Sequence, residues 1–272
     1  MVLRYVYFDD MRHNLIVYFT ITTIILYWGP ENIMPSLKKI NEAPIVNAPV
    51  GDIGGVVMTS KNGRNIFAYK GIPYSKPPIG ELRFKRPQSL PEKSWKGVFD
   101  GRKSARKCVQ LSGISFSPVI GEEDCLQLNV YVPQSENPPQ DGFPVMVWIH
   151  GGGFVAGDGT EEVTGPGFLL DKDVILVTLN YRLGMFGFLT LGNAEISGNQ
   201  GMWDQLEALK WVQKNIASFG GQRQKVTIFG ESAGGWSISS HLASWKSKGH
   251  FSGAIVQSGP LDFVGLKADA KK

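Results

Sequence analysis

A serine among small residues at the end of an apolar run is the most chemically suggestive feature of this sequence: Val226-Thr227-Ile228-Phe229-Gly230-Glu231-Ser232-Ala233-Gly234-Gly235. β-Favouring residues lead into a glycine, the serine sits at the tip, and small residues follow where a helix must pack against a sheet. The pattern G-x-S-x-G predicts a strand, a sharp turn and a helix start that push Ser232 Oγ out above the sheet. Such a turn strains the serine backbone and demands small neighbours. The free N–H groups and dipole of the helix start favour negative charge there. In a chain with 33 glycines the pentapeptide alone is a modest signal. A second pattern strengthens it: His150-Gly151-Gly152-Gly153-Phe154 directly follows the apolar run Val145-Met146-Val147-Trp148-Ile149. A glycine triplet is otherwise a flexible turn, but upstream of such a serine it can offer backbone N–H groups to an oxyanion.

Further motifs extend the pattern. In order come Tyr69-Lys70-Gly71-Ile72-Pro73-Tyr74, Pro77-Pro78-Ile79-Gly80-Glu81-Leu82-Arg83-Phe84 and Glu123-Asp124-Cys125-Leu126-Gln127-Leu128-Asn129-Val130-Tyr131. Asn180-Tyr181-Arg182-Leu183-Gly184, Gly198-Asn199-Gln200-Gly201 with Asp204-Gln205, and Phe219-Gly220-Gly221 follow. With these, the stretch from roughly Val50 to Pro260 resembles the N-terminal half of a type-B carboxylesterase, the carboxylesterase and cholinesterase family. The resemblance implies an α/β-hydrolase fold: a mainly parallel central sheet with N-terminal antiparallel strands, here incomplete on its C-terminal side. It also implies a serine carboxylic-ester hydrolase acting on small-molecule esters through an acyl-serine, with no cofactor or metal. Ser232 is then the nucleophile, and the N–H groups of Gly152, Gly153 and Ala233 hold the oxyanion. Glu231, which faces the cleft in the family, has a supporting electrostatic role. The resemblance further implies a Cys108–Cys125 disulfide, where the residues alone would equally allow two buried thiols. It implies two ion pairs, Arg83 with Glu123 and Arg182 with Asp204. Cholinesterases carry, in the loop between such cysteines, a tryptophan that holds a quaternary ammonium. None lies between Cys108 and Cys125, which counts against choline esters.

The elements that must position these residues are legible in outline. Val56-Val57-Met58 and Ile66-Phe67-Ala68-Tyr69 flank Asn62-Gly63, a hairpin signal. Residues 71 to 91, rich in proline, should wrap the surface. Leu126 to Val132 alternates and reads as a half-buried strand. Val145 to Ile149 and Val174 to Leu179 are continuous apolar runs that suit strands covered on both faces. Met202 to Ser218 reads as a helix, with Leu206, Leu209, Val212 and Ile216 on one stripe and Gly220 and Gly221 past its end. Val226 to Phe229 leads into the elbow, Gly234 to Trp245 forms the next helix, and Ala254 to Gln257 another strand. Alternating strands and helices from residue 145 onward predict a parallel α/β sheet.

Residues 1–49 read as a leader. Leu15 to Trp28 is 14 residues without a charge, too short for the about 20 needed to span a bilayer. The run suits a signal peptide at about 11–29, with Met11 as start and Arg12 as its positive flank, followed by a polar lead-in. Secretion is the expectation; a cytoplasmic product starting at Met34 is the alternative. Residues 50–265 form the carboxylesterase half-domain and 266–272 a polar tail. The net charge of +4 is scattered along the chain and argues against nucleic acid.

The general base is the unfilled role. In this fold the order is Ser, then Asp or Glu, then His. His241 falls in the helix leading away from Ser232, His250 in a loop, His150 in the glycine motif and His13 in the leader; none suits the role. Asp262 and Asp269 lack the family's context for the acidic member. The expectation is a truncated or partial chain that lacks turnover alone. A catalytically silent cholinesterase-like binding or adhesion module is the alternative. A chain ending on an unpaired strand edge is expected to be poorly soluble when expressed alone; a monodisperse, cooperatively melting 272-residue product would sink that expectation.

Overall fold

The computed structural model describes residues 42–112, 118–193 and 195–259. The apolar run of the leader, His13, Asp262, Asp269 and the polar tail lie outside them. Eleven strands are described: β1 Glu42–Ala48, β2 Gly51–Thr59, β3 Asn65–Pro73, β4 Val98–Asp100, β5 Gln110–Leu111, β6 Val119–Ile120, β7 Gln127–Pro133, β8 Phe143–Ile149, β9 Ile175–Leu179, β10 Gly221–Glu231 and β11 Gly253–Gln257. The helices are α1 Glu161–Thr164, α2 Gly184–Phe188, α3 Gln200–Asn215 and α4 Ala233–Ala243.

The main sheet runs β1-β2-β3-β7-β9-β8-β10-β11, with β4 beside β2. Its first part is antiparallel through β2, β3, β7 and β9, and β9, β8, β10 and β11 are mutually parallel. The Asn62-Gly63 hairpin is present: Thr59 pairs Asn65 across the turn, and Gly63 adopts a φ of 87° that costs glycine little. The parallel part follows from strands separated by helices, since a parallel neighbour needs a crossover.

Three local readings change. Residues 42–48, read as lead-in, form β1. Ala43 and Val46 are buried, and the Pro44 carbonyl accepts a hydrogen bond from the Tyr69 hydroxyl at 2.8 Å. Proline is tolerated in β1 because an edge strand need not donate every N–H. β7 is buried along its whole length, not half-buried. Its polar residues are internal linkers: Asn129 accepts from the Gly71 N–H and donates to the Gly159 carbonyl and the Thr178 hydroxyl, while Gln127 accepts from the Arg106 N–H. Conversely, β9 is covered on both faces, but β8 leaves Pro144 exposed and Met146 and Trp148 half-buried. Trp148 packs on Phe229 of β10 with ring centroids 4.9 Å apart.

α3 begins two residues before the expected start at Met202, and the Asn199 carbonyl accepts from the Met202 and Trp203 N–H groups. It ends earlier as α-helix, and residues Ile216–Phe219 tighten into a 3-10 turn closed by Gly220 at φ 80°. Leu206, Leu209, Val212 and Ile216 are all buried, each worth roughly 1.5–3 kcal/mol of apolar transfer. α4 likewise stops at Ala243, with the Ser244 N–H bonded to the His241 carbonyl.

Both ion pairs form, with different environments. Arg83 meets Glu123 through two hydrogen bonds of 2.5 and 2.7 Å at a partly exposed site, where solvent screens the pair and it adds little to stability. Arg182 and Asp204 are 3% and 0% exposed. Asp204 accepts from the Arg182 N–H, Nε and Nη2 at 3.1, 2.7 and 2.6 Å. Removing one partner leaves a buried, unpaired charge. Asp204→Ala is therefore expected to destabilise the fold by about 3–5 kcal/mol, and Glu123→Ala far less; paired denaturant titrations check the contrast.

Candidate active site

β10 delivers the chain to Ser232, which has φ 56° and ψ −122° and caps α4. A side chain with Cβ seldom adopts such angles, so surrounding structure must impose them. It does so through the backbone. The Ser232 N–H donates to the Gln257 carbonyl of β11 at 2.9 Å, and the Ser232 carbonyl accepts from Trp236 at 2.9 Å. The neighbouring glycines are needed for close approach. A Cβ on Gly234 would lie 2.1 Å from the Ile149 carbonyl, and one on Gly230 would lie 2.4 Å from the same oxygen. α4 thus starts directly against the end of β8.

The glycine loop leaves β8 at that point. A Cβ on Gly151 would be 3.3 Å from Ser232 Cβ and 3.4 Å from a Glu231 carboxylate oxygen, so the loop, the serine and Glu231 share one spot. Gly152 (φ 102°) and Gly153 (φ 61°) are exposed. The Gly152 carbonyl accepts from both Val155 and Ala156 at 3.0 Å, which curls the loop. Among the described residues, the N–H groups of Gly152, Gly153 and Ala233 have no acceptor. Ser232 itself is half-buried, and the free N–H of Ala233 follows it directly in the chain.

Several side chains hold this loop that sequence patterns did not single out. Gln110 grips its far end, accepting from the Gly157 N–H at 2.8 Å and donating to the Gly157 carbonyl at 3.0 Å. Gln110 lies two residues beyond Cys108, which is bonded to Cys125. Both sulfurs are buried, and the link contributes on the order of 3 kcal/mol in the loop-entropy account. Tyr181 donates to the His150 carbonyl at 2.9 Å and stacks on its ring at 4.3 Å. Phe154, itself at φ 64°, packs on Phe188 at 5.0 Å. With Phe188, Met202, Trp203 and Leu206 on its apolar side, and Asn199 and Lys246 among its polar lining, it borders a cavity of about 390 Å³.

Two of the three described histidines are tied up by ring hydrogen bonds. His241 is bonded through Nδ1 to Ser247 and through Nε2 to Gln205. Gln205 in turn donates to Ser237, whose hydroxyl donates to the Ala233 carbonyl. His241 is thus a buried tie between α3 and α4. His150 is buried with Nδ1 on the Gly151 carbonyl. Burial pushes both imidazoles down to about 4, because the charged form loses its water. His250 is partly buried and lowered for the same reason, assisted by Lys210. Among the described residues no cluster of three or more His, Cys, Asp or Glu is placed to hold a metal, and no helix is long and apolar enough to cross a membrane.

This arrangement meets its counterpart in comparison with known proteins. The Carboxylesterase family model matches residues 42–267. The chain belongs to the carboxylesterase family. It is 49% identical over 217 residues to juvenile hormone esterase of Tribolium castaneum, covering 79% of this chain and 36% of that protein. It is 43% identical over 216 residues to acetylcholinesterase 1 of Caenorhabditis briggsae, covering 75% and 34%. Among solved structures, juvenile hormone esterase from Manduca sexta with OTFP covalently attached superposes with a TM-score of 0.72 at 38% identity, covering 79% of this chain and 41% of that one. The fold is that of an α/β-hydrolase, and the chain spans under half the length of these relatives.

The lowered histidines set a pH dependence. Their folded values of about 4 lie below the ordinary 6.5, so the unfolded chain takes up protons first as pH falls. Stability is then full above about pH 6.5 and is lost towards pH 4, by on the order of 3 kcal/mol per buried histidine. Thermal midpoints should fall over that window, and His241→Gln should flatten the slope; equal slopes in both proteins would contradict the assignment.

Proposed function

We propose that this chain carries the nucleophile and oxyanion donors of a serine carboxylic-ester hydrolase. Ser232 Oγ attacks the ester carbonyl, and an acyl-serine forms and is then hydrolysed by water. The N–H groups of Gly152, Gly153 and Ala233 stabilise the tetrahedral oxyanion, each worth about 10² to 10³ in rate. Glu231, whose carboxylate lies beside Gly151, adds a supporting negative charge that favours an imidazolium nearby. The observation that carries the reading is the juxtaposition of Ser232, held at φ 56°, with three backbone donors lacking acceptors. A pure adhesion surface has no use for a strained serine beside a loop with free N–H groups.

The general base is not among the described histidines: His150 and His241 are locked and weakly basic, and His250 precedes β11, whose first residue Gly253 pairs with Thr227 while its last, Gln257, pairs with Glu231 beside Ser232, so it lies at the other end of the strand from the serine. The family order places the acid and base after the serine. The described residues alone are therefore expected to give no turnover. The disulfide supports a secretory route, because such bonds persist in oxidising compartments.

A fluorophosphonate probe tests the assignment. The full natural polypeptide should label at Ser232, and Ser232→Ala should abolish labelling and lower kcat by about 10⁴ or more. Ester turnover by the residues 42–259 alone, above the Ser232→Ala background, would refute the absence of a base. No labelling of the natural polypeptide would favour a silent binding module.

A further inference from the structure

We propose that His150 is a positioning residue for the oxyanion site, acting on the Gly152 N–H through the peptide unit that joins Gly151 to Gly152. The proposal rests on the acyl-transfer reading above. His150 Nδ1 lies 2.8 Å from the Gly151 carbonyl oxygen. That oxygen can only accept, so Nδ1 carries the proton and the imidazole donates. The acceptor belongs to the same planar amide as the Gly152 N–H, one of the donors that the acyl-transfer reading assigns to the oxyanion. Fixing the carbonyl end of a planar amide fixes where its N–H end points. A hydrogen bond at the oxygen also polarises the amide and makes the N–H a stronger donor, as chains of hydrogen bonds polarise one another.

The imidazole is built to do only this. It is 3% exposed, held flat against Tyr181 at 4.3 Å and 16°, with its own carbonyl bonded by the Tyr181 hydroxyl. Its Nε2 is buried and has no partner among the described residues. With a value near 4 the ring is neutral at pH 7, so Nε2 is a bare acceptor and the single proton resides on Nδ1. A group kept for packing alone would not need a donor aimed at this carbonyl, and a general base would need an accessible nitrogen. Gly157 makes room for the ring, since a Cβ there would lie 2.5 Å from Nδ1.

The test compares His150→Asn with His150→Leu in the full chain. The two side chains are alike in size, but only asparagine can place an N–H where Nδ1 stands. Phenylboronic acid is the probe. Ser232 Oγ–H adds to boron, the Oγ–B bond forms, the hydroxyl proton leaves to water, and the tetrahedral boronate carries the negative charge the N–H groups hold. This is an equilibrium, so it does not depend on a general base to be reached. Wild type and Asn are expected to bind within about threefold of each other, and Leu about tenfold or more weakly, with similar thermal midpoints for the two variants. Equal binding by Asn and Leu overturns the proposal. If wild type binds no boronate, the acyl-transfer reading fails, and the ¹⁵N resonance of Gly152 decides the positioning role by itself. Displacement in Leu with restoration in Asn sustains it; an unmoved resonance overturns it.

Discussion

The tightest constraint in the molecule is the crossing of two backbones at the carboxyl end of β8. The Ile149 carbonyl leaves no space for a Cβ at Gly230 or Gly234, so the elbow before α4 and the loop after β8 must be glycine on their facing sides. That contact brings the serine and the loop N–H groups to one point. Because it is made by backbone, it is rigid and is not averaged over rotamers. The strain at Ser232 is held from the other side by β11, whose Gln257 carbonyl accepts the serine N–H. The site is therefore a product of three neighbouring parallel strands, and the helices serve to hold those strands in register.

Around this point, several buried polar side chains tie distant segments together. Asn129 ties β7 to the Gly71 and Gly159 backbones. Asn180 accepts from the Gly159 N–H and donates to the Arg106 carbonyl. Arg182 and Asp204 join the segment after β9 to α3. Such groups add little net stability, because desolvation offsets most of the attraction. What they supply is uniqueness: an unmatched partner costs more than a matched pair gains, so alternative loop arrangements are penalised. A glycine-rich loop, with few side chains of its own to fix it, depends on that discrimination.

The sheet is covered unevenly. β9 is buried throughout, whereas β8 and β10 turn Trp148 and Phe229 to a half-open face, and β11 closes the described sheet with Ile255 and Val256 45% and 40% exposed. Charge has little part in this. Among the described residues, Arg182–Asp204 is the one ion pair with both side chains fully buried.

The local chemistry was written in the sequence. The elbow, the glycine loop, the Asn-Gly hairpin and the apolar stripe of α3 depend on glycine's backbone freedom and on side-chain periodicity, which are properties of a few adjacent residues. The family motifs added the disulfide and both ion pairs. What the tertiary structure alone decided was the role of polar residues. β7 read as half-buried because Gln127 and Asn129 look like solvent-facing positions; they face the interior because Gly71, Arg106, Gly159 and Thr178 wait there. Residues 42–48 read as lead-in because prolines and polar residues mask an edge strand. Gln110 and His150 found their partners in the Gly157 and Gly151 backbones. Pairings such as Gln110 with Gly157, 47 residues apart, or Val50 with Asn215, 165 apart, leave no local pattern, because a hydrogen bond between distant segments constrains neither segment's periodicity.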